Sequence, residues 1–198
     1  MKYENVFSLL EEITVNNSEK ISLGMKSKWG WNEFTYKGLG LLSRRLASYL
    51  IEDLQIEKGE KLAILSESKP EYGACVFGSV LAGLTTVPLD NKLTIFELHS
   101  ILSNCEPTVM LVSSTYIDKA KELKNKIPSI KYLILMDSSS CENELIPSLY
   151  SIPEKYTAKW RRRPLSATAF TIYTSGTTGA PKGVEITFKN MLAQMHDL

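Results

Sequence analysis

Between residues 61 and 136, short apolar runs alternate with longer amphipathic stretches, and this limits the possible folds more than any other feature of the chain. Leu62, Ala63, Ile64 and Leu65 read as a strand. Pro70 stands where a helix begins, since its fixed φ suits the first helical turn. The helix expected over 71–81 is apolar nearly all round and therefore belongs inside. Residues 86–89 form the next strand, and Pro88, which has no N–H to give, predicts its end or a sheet edge. Thr94 and Glu97 have the spacing of a capping box for a helix reaching Asn104, a device worth about 1 kcal/mol. A strand over 109–112, a helix over 115–126 that stops before Pro128, and a strand over 132–136 complete the run. Strands alternating with helices of this length need right-handed crossovers, which predicts an α/β fold: a mostly parallel sheet with flanking helices.

The flanks are less regular. Residues 6–13 read as a helix with Val6, Leu9, Leu10 and Ile13 on one face, followed by a hairpin over 21–23 and 29–34. Thr35 is placed to cap a helix carrying Tyr36, Leu39, Leu42, Leu46 and Leu50 inward, and Gly59 marks the exit turn. The chain turns polar over 137–168, which divides it into an α/β unit (1–136), an excursion (137–168) and a terminal segment (169–198) expected to continue beyond Leu198. Arg161, Arg162 and Arg163 within the excursion are suited to a phosphate or an acidic partner. A solvated basic turn beside Trp160 is the favoured reading, because short charge runs are usually surface.

Composition removes several function classes. Lys and Arg total 23 against 22 Asp and Glu, a net charge of +1 that offers nucleic acid no basic surface. Cys75, Cys105 and Cys141 are odd in number and far apart, fitting neither a metal site nor a disulfide framework and suiting a reducing, cytoplasmic setting. The most apolar stretch, 72–84, is too short to span a bilayer and holds Gly73, Gly78 and Gly83. Peripheral membrane contact remains compatible with this composition.

The chemistry is concentrated at the end of the chain. Ala169, Phe170, Thr171, Ile172 and Tyr173 read as a strand that runs directly into Thr174-Ser175-Gly176-Thr177-Thr178-Gly179-Ala180-Pro181-Lys182-Gly183. Those ten residues hold three glycines, three threonines, a serine and a lysine, with no acid. Gly176 and Gly179 let the main chain turn and approach a ligand closely, so that successive N–H groups can point at one anion. The hydroxyls add rotatable donors, and Lys182 adds a compact positive charge. A phosphate is the ligand this set suits. Gly176 and Lys182 also have the spacing of a Walker A loop, but Pro181 and Gly183 replace its last Gly and its Ser/Thr. Val184, Ile186 and Phe188 then alternate as in a strand, with a helix expected only near Asn190, whereas a Walker A loop opens a helix.

The run from Tyr173 to Val184 resembles the signature loop of the adenylate-forming superfamily, which comprises acyl-CoA synthetases, amino-acid-activating domains of peptide synthetases and luciferases. Lys69-Pro70-Glu71-Tyr72, the segment Gly83-Leu84-Thr85-Thr86-Val87-Pro88-Leu89, and Glu97-Leu98 with Ile101-Leu102 are similar to the same family's amino-terminal region, so the resemblance covers about Thr35 to the end. It implies the first part of the large amino-terminal domain of an enzyme that joins a carboxylate to the α-phosphate of MgATP and passes the acyl group to a thiol. It also implies that Thr174, Ser175, Gly176, Thr177, Thr178, Gly179 and Lys182 hold the β- and γ-phosphates, with Lys182 acting in catalysis. A carboxylic acid is already ionised at neutral pH and needs no general base. His99 and His196 therefore read as ordinary helix or surface residues.

Residues 88–94 followed by Glu97-Leu98 are most similar to bacterial long-chain fatty acyl-CoA synthetases, which implies a fatty acid as substrate and CoA as acceptor. An amino-acid-activating domain or an acyl-AMP ligase passing its product to a carrier protein stays open. So do a non-catalytic nucleotide- or partner-binding module and a structural fragment whose apolar edge favours a homo-oligomer. By the resemblance, the adenine and ribose contacts, the Glu that binds magnesium, the hinge and a mobile carboxy-terminal domain lie beyond Leu198, so these 198 residues alone are expected to be inactive. Two positions depart from the family pattern. Phe188 replaces a usual His, which bears on the wall of the acyl or nucleotide pocket, and Glu185 replaces an apolar residue and is expected to face solvent.

Overall fold

The computed structural model describes residues 5–28, 30–137, 146–155, 160–174 and 181–196. Six strands form the main sheet in the order β6-β5-β3-β4-β7-β8. They are β3 (Lys61–Leu65), β4 (Thr85–Leu89), β5 (Val109–Val112), β6 (Tyr132–Leu135), β7 (Thr168–Thr174) and β8 (Lys182–Thr187). All pairings are parallel except that of β7 with β8, which is antiparallel. A separate antiparallel hairpin joins β1 (Ile21–Ser27) to β2 (Gly30–Thr35).

Alternate residues of the strands feed two cores. Leu62, Ile64, Val109, Leu111 and Ile134 pack with α1 (Val6–Asn16), α2 (Tyr36–Ser48), α3 (Glu71–Leu81) and α6 (Phe188–His196). Ala63, Leu65, Met110, Val112 and Leu133 pack with α4 (Ile95–Cys105) and α5 (Ile117–Lys126) on the other face. A strand covered on both faces must be apolar at consecutive positions, which is why these runs do not alternate with polar residues.

Local sequence sets the boundaries. Thr35 Oγ1 caps α2 by accepting from Gly38 N at 3.1 Å, and α2 runs on into a π-helical turn over Tyr49–Asp53 that buries Leu50. Thr94 and Glu97 make the expected capping box, and α4 ends at Glu106 with φ of 49°. Gly83 has φ of +73°, and a Cβ there would lie 2.6 Å from the Arg161 carbonyl oxygen, so only glycine fits.

Three expectations are corrected. Pro88 stands at the end of β4, which stops at Leu89, but marks no sheet edge: β4 lies inside the sheet, with Pro88 opposite Ile64 of β3. The proline is tolerated because β4 and β7 pair only at Thr86 and Phe170, so beyond Thr86 the strand has a ladder neighbour on one side. Phe188 is not a strand residue but the first residue of α6, 4% exposed within the core. Thr187 Oγ1 accepts from Asn190 N at 3.2 Å and Asn190 Oδ1 accepts from Thr187 N at 3.0 Å, a reciprocal cap that starts the helix two residues before the expected Asn190. Of the three arginines Arg162 is exposed as a solvated turn requires, but Arg161 and Arg163 are not. Arg161 donates to Ile56 O, and Arg163 Nη1 donates to Thr85 Oγ1 at 3.0 Å and Thr168 O at 3.2 Å. Burial lowers the Arg163 pKa, and both side chains tie the excursion onto the sheet.

Candidate active site at the carboxyl edge of the sheet

Chain direction decides where ligands can gather. After β3 the chain crosses through α3 on one face to β4, and after β4 it crosses through α4 on the other face to β5 on the far side of β3. Such a switch point opens a crevice beyond the carboxyl ends of the two strands. A cleft of about 530 Å³ lies there, lined by Lys69, Tyr72, Leu89, Asp90 and Asn91, with Leu23 of the β1–β2 hairpin beside them. Asn91 Nδ2 donates to Ser66 O at 3.1 Å and joins the two loops that form its walls.

A charged network lies along the same edge. Lys69 Nζ is 2.5 Å from Asp137 Oδ2 and 3.5 Å from Glu67 Oε1. Ser113 Oγ donates to Glu67 Oε2 at 2.5 Å, and Ser114 N and Oγ donate to Asp137. Burial would raise Glu67, but hydrogen bonds from Ser113 and its own backbone, with the Lys69 charge, hold it below the usual carboxylate range. Asp137 is likewise held low, burial being outweighed by Lys69 and Ser114. Partial burial opposes the Lys69 charge, yet Asp137 and Glu67 leave its pKa raised. Sequence reasoning missed this network. Its signal was the placement of Glu67, Ser113, Ser114 and Asp137 directly after apolar strands, at the end where parallel sheets bind ligands.

The strand that leads into the predicted phosphate loop, β7, runs parallel to β4 and ends at Thr174. Thr174 and Lys182 face each other in the last register pair of the β7–β8 hairpin, both exposed, and Lys182 has no ion-pair partner among the described residues. The two ends of the predicted phosphate loop are thus brought together. Ser175, Gly176, Thr177, Thr178 and Gly179 lie outside the described residues. Glu185 is exposed and accepts from Thr168 Oγ1 at 3.1 Å.

The other candidates lie apart from this edge. His99 is within 3.5 Å of Ser103 Oγ on α4, and His196 is the last residue of α6. Cys75 and Cys105 are buried free thiols, Cys105 pushed up to about 11 mainly by burial, which suits packing rather than nucleophilic work. Cys141 lies outside the described residues. Among the described residues no group of three or more His, Cys, Asp or Glu is arranged to hold a metal, and no helix is long and apolar enough to cross a membrane.

An open α/β sheet with a cleft at a switch point belongs to the class of α/β proteins that bind ligands beyond the carboxyl ends of their strands. More particularly, residues 11–198 match the family model of the AMP-binding enzymes, and the chain belongs to that family. The crotonobetaine/carnitine–CoA ligase of Escherichia coli O1:K1 is 29% identical over 164 residues, covering 81% of this chain and 32% of that protein. The anthranilate CoA ligase AuaEII, solved with anthranoyl-AMP, superposes with a TM-score of 0.82 at 22% identity, over 97% of this chain and 36% of that one. The A-PCP didomain of carboxylic acid reductase from Segniliparus rugosus, solved with AMP, gives a TM-score of 0.80 at 20% identity, over 95% and 32%. The chain spans about a third of the length of the Escherichia coli ligase. The structural neighbours share the mostly parallel sheet with flanking helices expected from the sequence.

Proposed function

We propose that this chain is the nucleotide-handling part of an ATP-dependent acid–thiol ligase, with the loop between β7 and β8 holding the departing diphosphate. The supporting observation is the register pair of Thr174 with an exposed Lys182, which has no ion-pair partner among the described residues. In the first half-reaction a carboxylate oxygen bonds to the α-phosphorus of ATP while the bond to the bridging oxygen breaks, releasing pyrophosphate. In the second, a thiolate attacks the acyl carbon and AMP leaves.

Both reactants of the first step are anions, so the protein's task is charge neutralisation and alignment. The Lys182 ammonium offsets charge that grows on the leaving diphosphate. The hydroxyls of Thr174, Ser175, Thr177 and Thr178, with main-chain N–H groups freed by Gly176 and Gly179, orient its oxygens. Each such charge-assisted bond contributes about 1.5–3 kcal/mol. Magnesium bound with ATP would supply further neutralisation of the triphosphate, and among the described residues no cluster of acidic groups is arranged to hold it. The acid we propose is a long-chain fatty acid and the acceptor CoA, resting on the resemblance of residues 88–98 to bacterial fatty acyl-CoA synthetases.

Pyrophosphate–ATP exchange in the full-length protein, with acids of increasing chain length, tests this reading. Exchange fastest with long-chain acids is the expected result, whereas ATP binding without exchange for any acid overturns it in favour of a binding module. Lys182→Ala should slow exchange about 10- to 100-fold with little change in the KM of the acid. Gly179→Val should do comparable damage through backbone geometry.

A further inference from the structure

Past Phe170, β7 has no further ladder pair with β4, the assigned register pair being Phe170 with Thr86. The last residues of β7 are laddered to β8 alone, and β8 is mostly exposed. Thr85 and Arg163 secure the opposite end of the hairpin through the Thr168 carbonyl. The other end of the hairpin has a side-chain tie of its own.

Tyr173 stands opposite Gly183 in the ladder. A Cβ on Gly183 would lie 3.2 Å from Tyr173 Cζ and 2.8 Å from Thr171 Cγ2. Gly183 is not among the positive-φ glycines, so it is required for lateral space rather than for turning. The aromatic ring covers the glycine across the strands, an arrangement that stabilises a glycine in a sheet. The Tyr173 hydroxyl then donates to Asn104 Oδ1 at 2.6 Å, in the last turn of α4. Burial raises the phenol to about 12, so it remains a donor throughout the ordinary pH range.

We propose that Tyr173, laid over Gly183 and hydrogen-bonded to Asn104, is a strut that fixes Thr174 and Lys182 relative to the parallel sheet and so positions the nucleotide's diphosphate. Tyr173 touches no reacting atom in this scheme and is a positioning residue. The inference rests on the ligase reading for its consequence and on described geometry for its cause.

The test uses Tyr173→Phe, Asn104→Ala and the double variant in the full-length protein. Each single variant should lower kcat/KM for ATP in pyrophosphate exchange about five- to tenfold while leaving KM for the acid unchanged, and the double variant should fall no further. Amide hydrogen exchange at Thr174 and Lys182 should quicken by a similar factor in all three. Unchanged kcat/KM for ATP, additive losses, or an equal rise in both KM values overturns the positioning role. A wild-type protein inert in pyrophosphate exchange overturns the ligase reading and the nucleotide role together. The strut is still read from amide exchange, and unchanged protection at both residues overturns it.

Discussion

The middle of the sheet and its β7–β8 margin obey different rules. In β3 and β5 the side chains of Leu62, Ile64, Leu65, Met110, Leu111 and Val112 are fully buried between helices on both faces. In the margin, Ile172 and Val184 stand opposite each other in the ladder at 38% and 52% exposure, and Lys182 is in solvent. The centre therefore carries stability and the margin carries the proposed chemistry. Ligand-handling loops belong to the weakly packed part of a fold, where a change in conformation breaks few contacts.

The largest expected effect tests the central half of that contrast. Leu111→Ala removes a fully buried side chain from the strand between β3 and β6 and should cost about 2–5 kcal/mol in urea denaturation. Exchange per folded molecule of full-length protein should be unchanged. A cost under about 1 kcal/mol would mean that the centre is not the seat of stability.

A smaller effect is expected where the two regimes meet, in the network at the strand ends. Lys69→Met leaves Glu67 and Asp137 without their cation and should cost about 1–3 kcal/mol at neutral pH. The pH dependence has a definite sign. Glu67 and Asp137 are lowered from 4.5 and 3.8, so their contributions are whole above those values and are lost as pH falls through the lower folded-state values. Lys69 is raised from 10.5, so its contribution is whole below that value and is lost only as pH rises through the folded one. Stability from this network should be flat between these limits. Acid denaturation curves in which Lys69→Met loses stability below pH 4.5 as steeply as the parent would remove the network as the cause.

The centre was legible in the sequence because burial on both faces leaves an unmistakable record, consecutive apolar residues between turns and caps. Thr94 with Glu97 specified a helix start through local chemistry alone. Phe188 was misread because an apolar residue at strand spacing satisfies either element, and the deciding cap uses Asn190 where the usual signal is Glu or Gln. Arg161 and Arg163 were misread because a charge run shows no partner in sequence, whereas the carbonyls of Ile56 and Thr168 reach them only after folding. The proposed phosphate loop stands out by composition alone, as ten residues rich in Gly and Thr with one Lys and no acid. The bond from Tyr173 to Asn104 was not legible, since the two residues lie on elements that meet only through the crossover topology.

The smallest effect bears on the margin. Val184→Thr exchanges one β-branched side chain for another of similar strand preference, opposite Ile172 on an exposed face. Since Val184 is 52% exposed, the lost methyl contact should be worth no more than about 0.5 kcal/mol in thermal denaturation of the 198-residue chain. The same substitution in a longer form of the protein sharpens the contrast. A cost of 1 kcal/mol or more there, against a negligible one here, would mean that further residues cover this face. The margin would then be a second interior rather than an exposed flap, and the division between a stable centre and a lightly held site would hold only for these residues taken alone.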